Sequence, residues 1–194
     1  LSDISGGDEP LMTTTTLATY LDLLKSLYFV EEVPGWVPEK RSPKRLSVKP
    51  KRYLADPSLA VALLGMNEQA LLDDWQTFGL VFENLCMRDL MVYAGAHPDI
   101  SAVPVRYYRD DSGLEADAIV ELADGRWAAF EFKLGAAKTD QGVASLRRLR
   151  EKVTANEKAR TRPPAFMAVV TGTGEYAYQP EEGIYVIPLR ALGA

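Results

Sequence analysis

Cysteine and histidine are almost absent from this 194-residue chain, which has one of each, Cys86 and His97. A single cysteine excludes a disulfide within the chain, and one cysteine with one histidine excludes the usual zinc sites built from clusters of the two. No apolar run approaches the ~20 residues of a membrane-spanning helix, and no charged-then-apolar signal peptide opens the chain. We therefore expect a soluble, cytoplasmic protein without a membrane partner.

Acidic residues outnumber basic ones, and the basic residues are gathered in two short windows. The formal net charge is -5, yet residues 40–52 and 147–162 hold 14 of the 22 Lys and Arg and only 2 of the 27 Asp and Glu. Such segregation indicates a polyanion-binding face or, more simply, a solvated helix and a charged loop. We take DNA as the candidate polyanion. The candidate nucleic-acid-binding residues are Lys40, Arg41, Lys44, Arg45, Lys49, Lys51 and Arg52.

The first 56 residues are predicted to form a partial winged-helix or linker segment. The chain opens at Leu1 in a loop-like stretch, so we expect a fragment of a longer protein. Residues 13–28 have the apolar spacing of an amphipathic helix, preceded by threonines that can cap it. A short strand over 29–33, the basic stretch and a return strand over 51–55 follow. Helix, strand, basic loop and strand form the second half of a winged helix.

Residues 57–194 are predicted to form a separate α/β domain. A long helix from Asp73 to Gly95 carries Glu83 among apolar residues, where a carboxylate needs a partner. Strands are predicted over 103–109, 114–121 and 126–134, a helix over 138–153, and further strands over 165–170 and 184–189, with a short piece near 175–178. This order predicts a mixed sheet flanked by helices.

Carboxylates and a lysine occur at alternate positions of two consecutive predicted strands. Glu115 and Asp117 share one face of the first strand, and Glu131 and Lys133 share one face of the second. With a two-residue turn, Asp117 faces away from Glu131. With a three-residue turn ending at Gly125 in a left-handed conformation, Asp117 lies opposite Glu131, and Glu115 lies opposite Lys133. Glycine at the third loop position favours the second register.

Two carboxylates that face each other in a sheet repel, and a divalent cation between them would remove the conflict. Mg²⁺ is the expected ion because it binds one or two carboxylates and leaves positions for water and phosphate. Lys133 could orient or deprotonate the attacking water, or stabilise charge on a phosphate. The simpler interpretation is a solvated edge with an ion pair between Glu115 and Lys133.

These motifs resemble the PD-(D/E)XK nuclease-like superfamily. Asp117, then Glu131-Phe132-Lys133, follow a helix carrying Glu83 and precede a helix carrying Gln141. More narrowly, the chain resembles the domain of unknown function that forms the C-terminal half of many bacterial and archaeal AAA-type ATP-binding proteins. The stretches that carry this narrower resemblance are Lys51 to Leu59, Phe78 to Glu83, Tyr107 to Arg109, Gly113 to Asp117 and Val186 to Leu189.

The resemblance implies a nuclease-like core with metal ligands at Asp117 and Glu131, a catalytic lysine at Lys133 and a supporting acid at Glu83. It also implies an upstream ATPase domain as a partner. No G-x-x-x-x-G-K-[ST] motif occurs, so these residues cannot bind ATP through a P-loop. Two functions stay open: a magnesium-dependent phosphodiesterase, and a non-catalytic DNA-binding or docking domain of the ATPase.

Overall fold

The predicted helices and strands occur in the predicted order, but a short helix over 68–73 was not predicted, and the short strand expected near 175–178 lies at 178–181. A computed structural model describes residues 13–39, 48–156 and 161–192. The helices are α1 (Thr14–Ser26), α2 (Ser58–Leu63), α3 (Glu68–Asp73), α4 (Trp75–Gly95) and α5 (Thr139–Ala155). The strands are β1 (Val30–Val33), β2 (Lys51–Leu54), β3 (Ile100–Arg109), β4 (Glu115–Leu122), β5 (Trp127–Lys133), β6 (Phe166–Thr171), β7 (Tyr178–Glu181) and β8 (Ile184–Pro188).

Six strands form one mixed sheet in the order β3-β4-β5-β6-β8-β7. The pairs β3-β4, β4-β5 and β7-β8 are antiparallel, whereas β5-β6 and β6-β8 are parallel. Helix α5 makes the crossover between the parallel strands β5 and β6, as a parallel connection requires. The predicted mixed sheet flanked by helices is confirmed.

The two faces of the sheet carry different apolar cores. Alternate residues of β4 and β5 point to opposite faces, so Ile119 and Ala129 join the α5 side, whereas Ala118 and Phe130 join the α4 side. Helix α5 buries an amphipathic stripe that includes Leu146. In the described parts of the chain, no helix has both the length and the apolarity to span a bilayer.

The turn between β4 and β5 decides which side chains meet at the end of these strands. Leu122 N–H donates to Arg126 O at 2.8 Å, and Gly125, with φ of 85°, has the left-handed conformation. Ala118 consequently pairs with Phe130, a register that places Asp117 opposite Glu131. The predicted three-residue turn is confirmed.

The N-terminal segment packs against the larger sheet. Strands β1 and β2 form an antiparallel two-stranded sheet, and Val33 of β1 is 1% exposed within the core on the α4 side. Trp36 enters the other core, where its ring centroid is 4.8 Å from that of Trp127. The winged-helix assignment and the division after residue 56 stay predictions, although this segment shares both cores with the rest of the chain.

Candidate active site

Asp117 and Glu131 lie side by side where β4 and β5 begin to separate. Regular pairing runs as far as Ala118 opposite Phe130. One residue further along β4, Asp117 Oδ2 accepts the Phe132 backbone N–H at 2.7 Å. The Asp117 side chain is 14% exposed and that of Glu131 is 6% exposed, so both carboxylates are largely withdrawn from water.

Lys133 provides the counter-charge for this inner pair of carboxylates. Its ammonium group forms an ion pair with Glu131 and lies 3.9 Å from Asp117 Oδ2. Ser145 of α5 donates to Glu131 Oε1 at 3.1 Å, which orients that carboxylate from the helix side. Two carboxylates, one ammonium group and one hydroxyl group therefore meet between the strands and α5.

An outer pair of carboxylates, Glu83 and Glu115, flanks the inner pair. Lys51 Nζ forms an ion pair with Glu115 and lies 3.9 Å from Glu83 Oε1. Tyr53 OH donates to the same Glu83 oxygen at 2.9 Å. The prediction that Glu83 needs a partner is confirmed.

The predicted role of Lys51 in nucleic-acid binding stays a prediction, although in this structure its ammonium group pairs with site carboxylates. One sequence-based interpretation requires correction. The alternative Glu115–Lys133 ion pair is wrong, because Glu115 pairs with Lys51, while Lys133 pairs with Glu131. The register does bring Glu115 and Lys133 to opposite positions, but each side chain finds a partner elsewhere.

Burial and like charge shift the proton affinities in this cluster. Burial, with the neighbouring charge of Glu131, raises the pKa of Asp117 to about 7. Burial also raises the pKa of Glu131, while Lys133 opposes the shift. Burial alone would lower the pKa of Lys133, but the charges of Glu131 and Asp117 raise it, which keeps the group an ammonium ion at neutral pH.

The inner pair opens into a polar cleft of about 450 Å³ between the strands β4 and β5 and the helix α5. Among the described residues, no group of three or more His, Cys, Asp and Glu side chains is arranged to hold a metal ion, so any ion here would rest on two carboxylates. The lining residues are Gly113, Glu115, Asp117, Glu131, Lys133, Gln141, Ala144, Ser145 and Arg148.

The structure describes two of the other predicted DNA-binding residues, Lys49 and Arg52, and their role stays a prediction. Arg52 Nε donates to Glu32 Oε1 at 3.1 Å across the β1-β2 pair, and Lys49 is exposed. Lys40, Arg41, Lys44 and Arg45 lie outside the described residues. In the second basic window, Arg147 and Arg150 pair with Glu181, and Lys152 pairs with Asp110. For the described part of that window on α5, these pairs favour the interpretation as the solvated face of a helix.

Sequence reasoning missed three groups of this site: Lys51 in its observed role, Tyr53 and Ser145. Lys51 and Tyr53 are alternate residues of one strand, so both point to the same face. Ser145 is four residues after Gln141, one helical turn along the same side of α5. These spacings show which residues lie together on one element. They do not indicate that Lys51, Tyr53 and Ser145 contact carboxylates from other elements.

Comparison with known families matches two parts of the chain. Residues 78–192 match the family described as "Domain of unknown function (DUF4143)", a match that begins within α4, reaches the end of the described chain and includes five of the six charged groups above. The chain belongs to the DUF4143 family. DUF4143 domains are associated with AAA-type ATPases. Residues 2–70 match a second family, described as "Domain of unknown function (DUF8612)", so Lys51 and Tyr53 lie outside the DUF4143 match.

Two curated relatives are much longer than this chain. Uncharacterized protein Rv2008c of Mycobacterium tuberculosis and uncharacterized protein Mb2031c of Mycobacterium bovis are each 29% identical over 119 residues. That region is 61% of this DUF4143 chain and 25% of each relative.

Among solved structures, one chain of a complex of Thermococcus gammatolerans McrB AAA+ hexamers with bound McrC is similar to this chain. The alignment covers 96% of this chain and 64% of that chain. The TM-score is 0.36 and the identity 10%, a similarity too low to support an argument about fold or function.

Proposed function

We propose that this DUF4143 domain hydrolyses phosphodiester bonds in DNA with the help of Mg²⁺, at the cluster of Asp117, Glu131 and Lys133. The observation that carries the proposal is the convergence of two largely buried carboxylates and an ammonium group at the floor of an open polar cleft. Burying three charges together is costly, and a domain that needed only a stable fold would gain little from them. Such clusters are characteristic of functional sites.

The donor set fits a magnesium ion. Asp117 and Glu131 offer the hard oxygen ligands that Mg²⁺ prefers, and two protein carboxylates are a common number for this ion. The pair already attracts a cationic group, because Lys133 lies against both carboxylates. Asp117 and Glu131 would hold the ion. Bound there, Mg²⁺ supplies Lewis-acid stabilisation of the charge that develops on a phosphate during hydrolysis.

The remaining side chains have separate roles in this proposal. Lys133 supplies positive charge to the phosphate from the floor of the cleft and acts as an ammonium ion rather than a general base. Ser145 orients Glu131 through the 3.1 Å hydrogen bond. Glu83, the supporting acid, lies beside the inner pair, near enough for its charge to raise the pKa of Asp117.

The proposal is tested by incubating the chain with supercoiled and linear DNA in the presence of Mg²⁺ or Mn²⁺. We expect metal-dependent nicking, and we expect Lys133→Ala and Asp117→Ala each to lower the rate at least ~100-fold, because each removes charge stabilisation at the reacting phosphate. Circular dichroism checks that the variants fold.

Matched controls are Lys25→Ala and Asp124→Ala. Lys25 pairs with Asp22 on α1, and Asp124 lies in the β4-β5 turn, where its carboxylate binds Arg126. Both controls should nick DNA like the wild type. Nicking that survives both Lys133→Ala and Asp117→Ala would come from a contaminant and would refute the proposal.

A second candidate is a non-catalytic docking domain of an ATPase. Helix α1 favours it, since it has no buried residue, and Tyr20, Leu23 and Leu27 are each more than half exposed. An apolar helix face of this kind is typical of protein interfaces. The partner would be the ATPase segment of a longer polypeptide. In that case the chain nicks no DNA, and Leu23→Ser with Leu27→Ser weakens binding to the ATPase segment at least ~10-fold.

A further inference from the structure

Strand β2 is fixed to helix α4 by one buried amide side chain. Asn84 Oδ1 accepts the Leu54 backbone N–H at 2.9 Å, and Asn84 Nδ2 donates to the Leu54 carbonyl oxygen at 2.7 Å. The amide therefore bonds both polar backbone groups of one strand residue, as a neighbouring strand would. This contact sets the position of β2 along the helix that carries Glu83.

Strand β2 places two side chains beside the candidate site. Lys51 and Tyr53 alternate along β2 and share a face. Lys51 reaches Glu115 on β4 and lies 3.9 Å from Glu83 on α4, and Tyr53 donates to Glu83 at 2.9 Å. The Lys51 ammonium group also lies 5.3 Å from the centre of the Tyr107 ring, a cation–π contact that limits its movement.

The geometry points to Lys51 and Tyr53 as positioning residues of the site, which hold Glu83 and Glu115 at its two flanks. The catalytic consequence rests on the proposed function. Both residues come from the segment that matches DUF8612, whereas the DUF4143 match begins at residue 78. The two matched segments thus build one site together, and the DUF4143 segment alone lacks part of it.

The distribution of charge explains why the site needs this second lysine. Lys133 serves the inner carboxylates Asp117 and Glu131, while Lys51 serves the outer pair. Without Lys51, two half-buried carboxylates would lose their counter-charge beside two others, and like-charge repulsion would turn them away from their present positions. Tyr53 adds a neutral hydrogen bond that holds Glu83 in place.

Steady-state cleavage of DNA by the whole chain tests the catalytic consequence. We expect Lys51→Met to lower kcat about 10–100-fold with KM nearly unchanged, as for other residues that orient catalytic groups. Lys51→Arg should recover most of the activity, because it keeps the charge and the ion pair. Tyr53→Phe should lower kcat less. Lys25→Met and Tyr108→Phe are matched controls, since each removes a similar contact to an acid outside the site.

A change in KM alone would assign Lys51 to substrate binding and overturn the positioning role. Failure of Lys51→Arg to exceed Lys51→Met would also overturn it.

A measurement without turnover separates this inference from the proposed function. The side-chain carboxyl carbons of Glu83 and Glu115 can be followed by ¹³C NMR at a fixed pH. Lys51→Met should displace both resonances, Tyr53→Phe that of Glu83, and Lys25→Met neither. If neither resonance moves in Lys51→Met, the inference is refuted. If the wild-type chain cleaves no DNA, the proposed function fails, and these resonances alone decide whether Lys51 holds the two carboxylates.

Discussion

The Asp117 carboxylate accepts the backbone N–H of Phe132 across the β4-β5 boundary at 2.7 Å. This bond holds the carboxylate against Glu131 where regular strand pairing ends. Burial and the neighbouring charge of Glu131 both disfavour the ionised form of Asp117, so the pKa of this residue is raised. The stability of the protein should therefore depend on pH through this residue.

Replacing Asp117 by asparagine should stabilise the chain at alkaline pH. The pKa of Asp117 is about 7 in the folded chain and 3.8 in its ordinary state, so its contribution to stability falls as pH rises from about 4 to about 7. Asparagine removes the buried charge and can still accept the Phe132 N–H. We expect Asp117→Asn to raise the free energy of unfolding by about 1–3 kcal/mol at pH 8, with little effect at pH 4. Urea unfolding at both pH values measures this.

Asp124→Asn, in the exposed turn, is the control and should not reproduce the gain. A variant that is less stable than the wild type at pH 8 would show that the Asp117 charge is well compensated in the folded state.

Asp110 should stabilise the loop between β3 and β4. Its Oδ1 accepts the backbone N–H groups of Ser112 and Leu114, at 2.7 and 3.1 Å, and its Oδ2 pairs with Lys152 of α5. We expect Asp110→Ala to lower the free energy of unfolding by about 1–3 kcal/mol at pH 7, because these donors lose a charged acceptor. Thermal unfolding followed by circular dichroism measures the loss.

The same residue predicts the direction of acid sensitivity. Although burial opposes it, the hydrogen bonds from Lys152 and Ser112 lower the pKa of Asp110 well below its ordinary value of 3.8. Its stabilisation is complete above that ordinary value and disappears as pH falls toward the folded pKa. The stability difference between wild type and Asp110→Ala should therefore shrink below about pH 4. A difference that grows with acidity would contradict this assignment, and Asp99→Ala, at an exposed acid, is the control.

Trp36 tests whether the N-terminal segment folds with the rest of the chain. The residue is 4% exposed and packs on Trp127, while Trp75 is 62% exposed. We expect Trp36→Ala to lower the free energy of unfolding by about 3–5 kcal/mol, because it would open a cavity in the core that Trp36 shares with Trp127. Unfolding in urea should still be a single cooperative transition. Trp75→Ala should lower the free energy of unfolding by less than about 1 kcal/mol. Two separate transitions in the wild type would instead support independent folding on the two sides of residue 56.

DNA binding by the basic stretch should depend steeply on salt. Each phosphate neutralised on duplex DNA contributes a slope of about 0.9 to the dependence of log affinity on log salt concentration. Removing Arg41, Lys44 and Arg45 together should reduce that slope by about three if all three contact phosphate. Lys51→Ala should change the slope less, because its ammonium group is paired with Glu115. Fluorescence anisotropy with labelled duplexes at several salt concentrations measures the slope for each variant. An affinity that does not depend on salt would assign the basic stretch to protein contacts.

Much of the fold and the inner half of the site could be predicted from local pattern. Period-two alternation predicts the strands β3 to β5, and a glycine at the third turn position favours the register that places Asp117 opposite Glu131, which the structure confirms. The need of Glu83 for a partner also followed from its apolar neighbours along α4. In each case the relevant groups lie within one element or across one tight turn, where backbone geometry leaves few arrangements.

Local sequence pattern predicted most of the helices and strands and favoured the β4-β5 register that brings Asp117 and Glu131 together. Which charges are paired depends on the packing of the elements: Lys51 pairs with Glu115, Arg147 and Arg150 pair with Glu181, and Lys152 pairs with Asp110. These partners are between 31 and 64 residues apart in the chain, and their meeting depends on how whole elements pack. Periodicity shows which face of an element a side chain occupies. The partner of a charged side chain depends on which opposite charge the packing of the elements brings close to it, and for Lys51 that partner is Glu115.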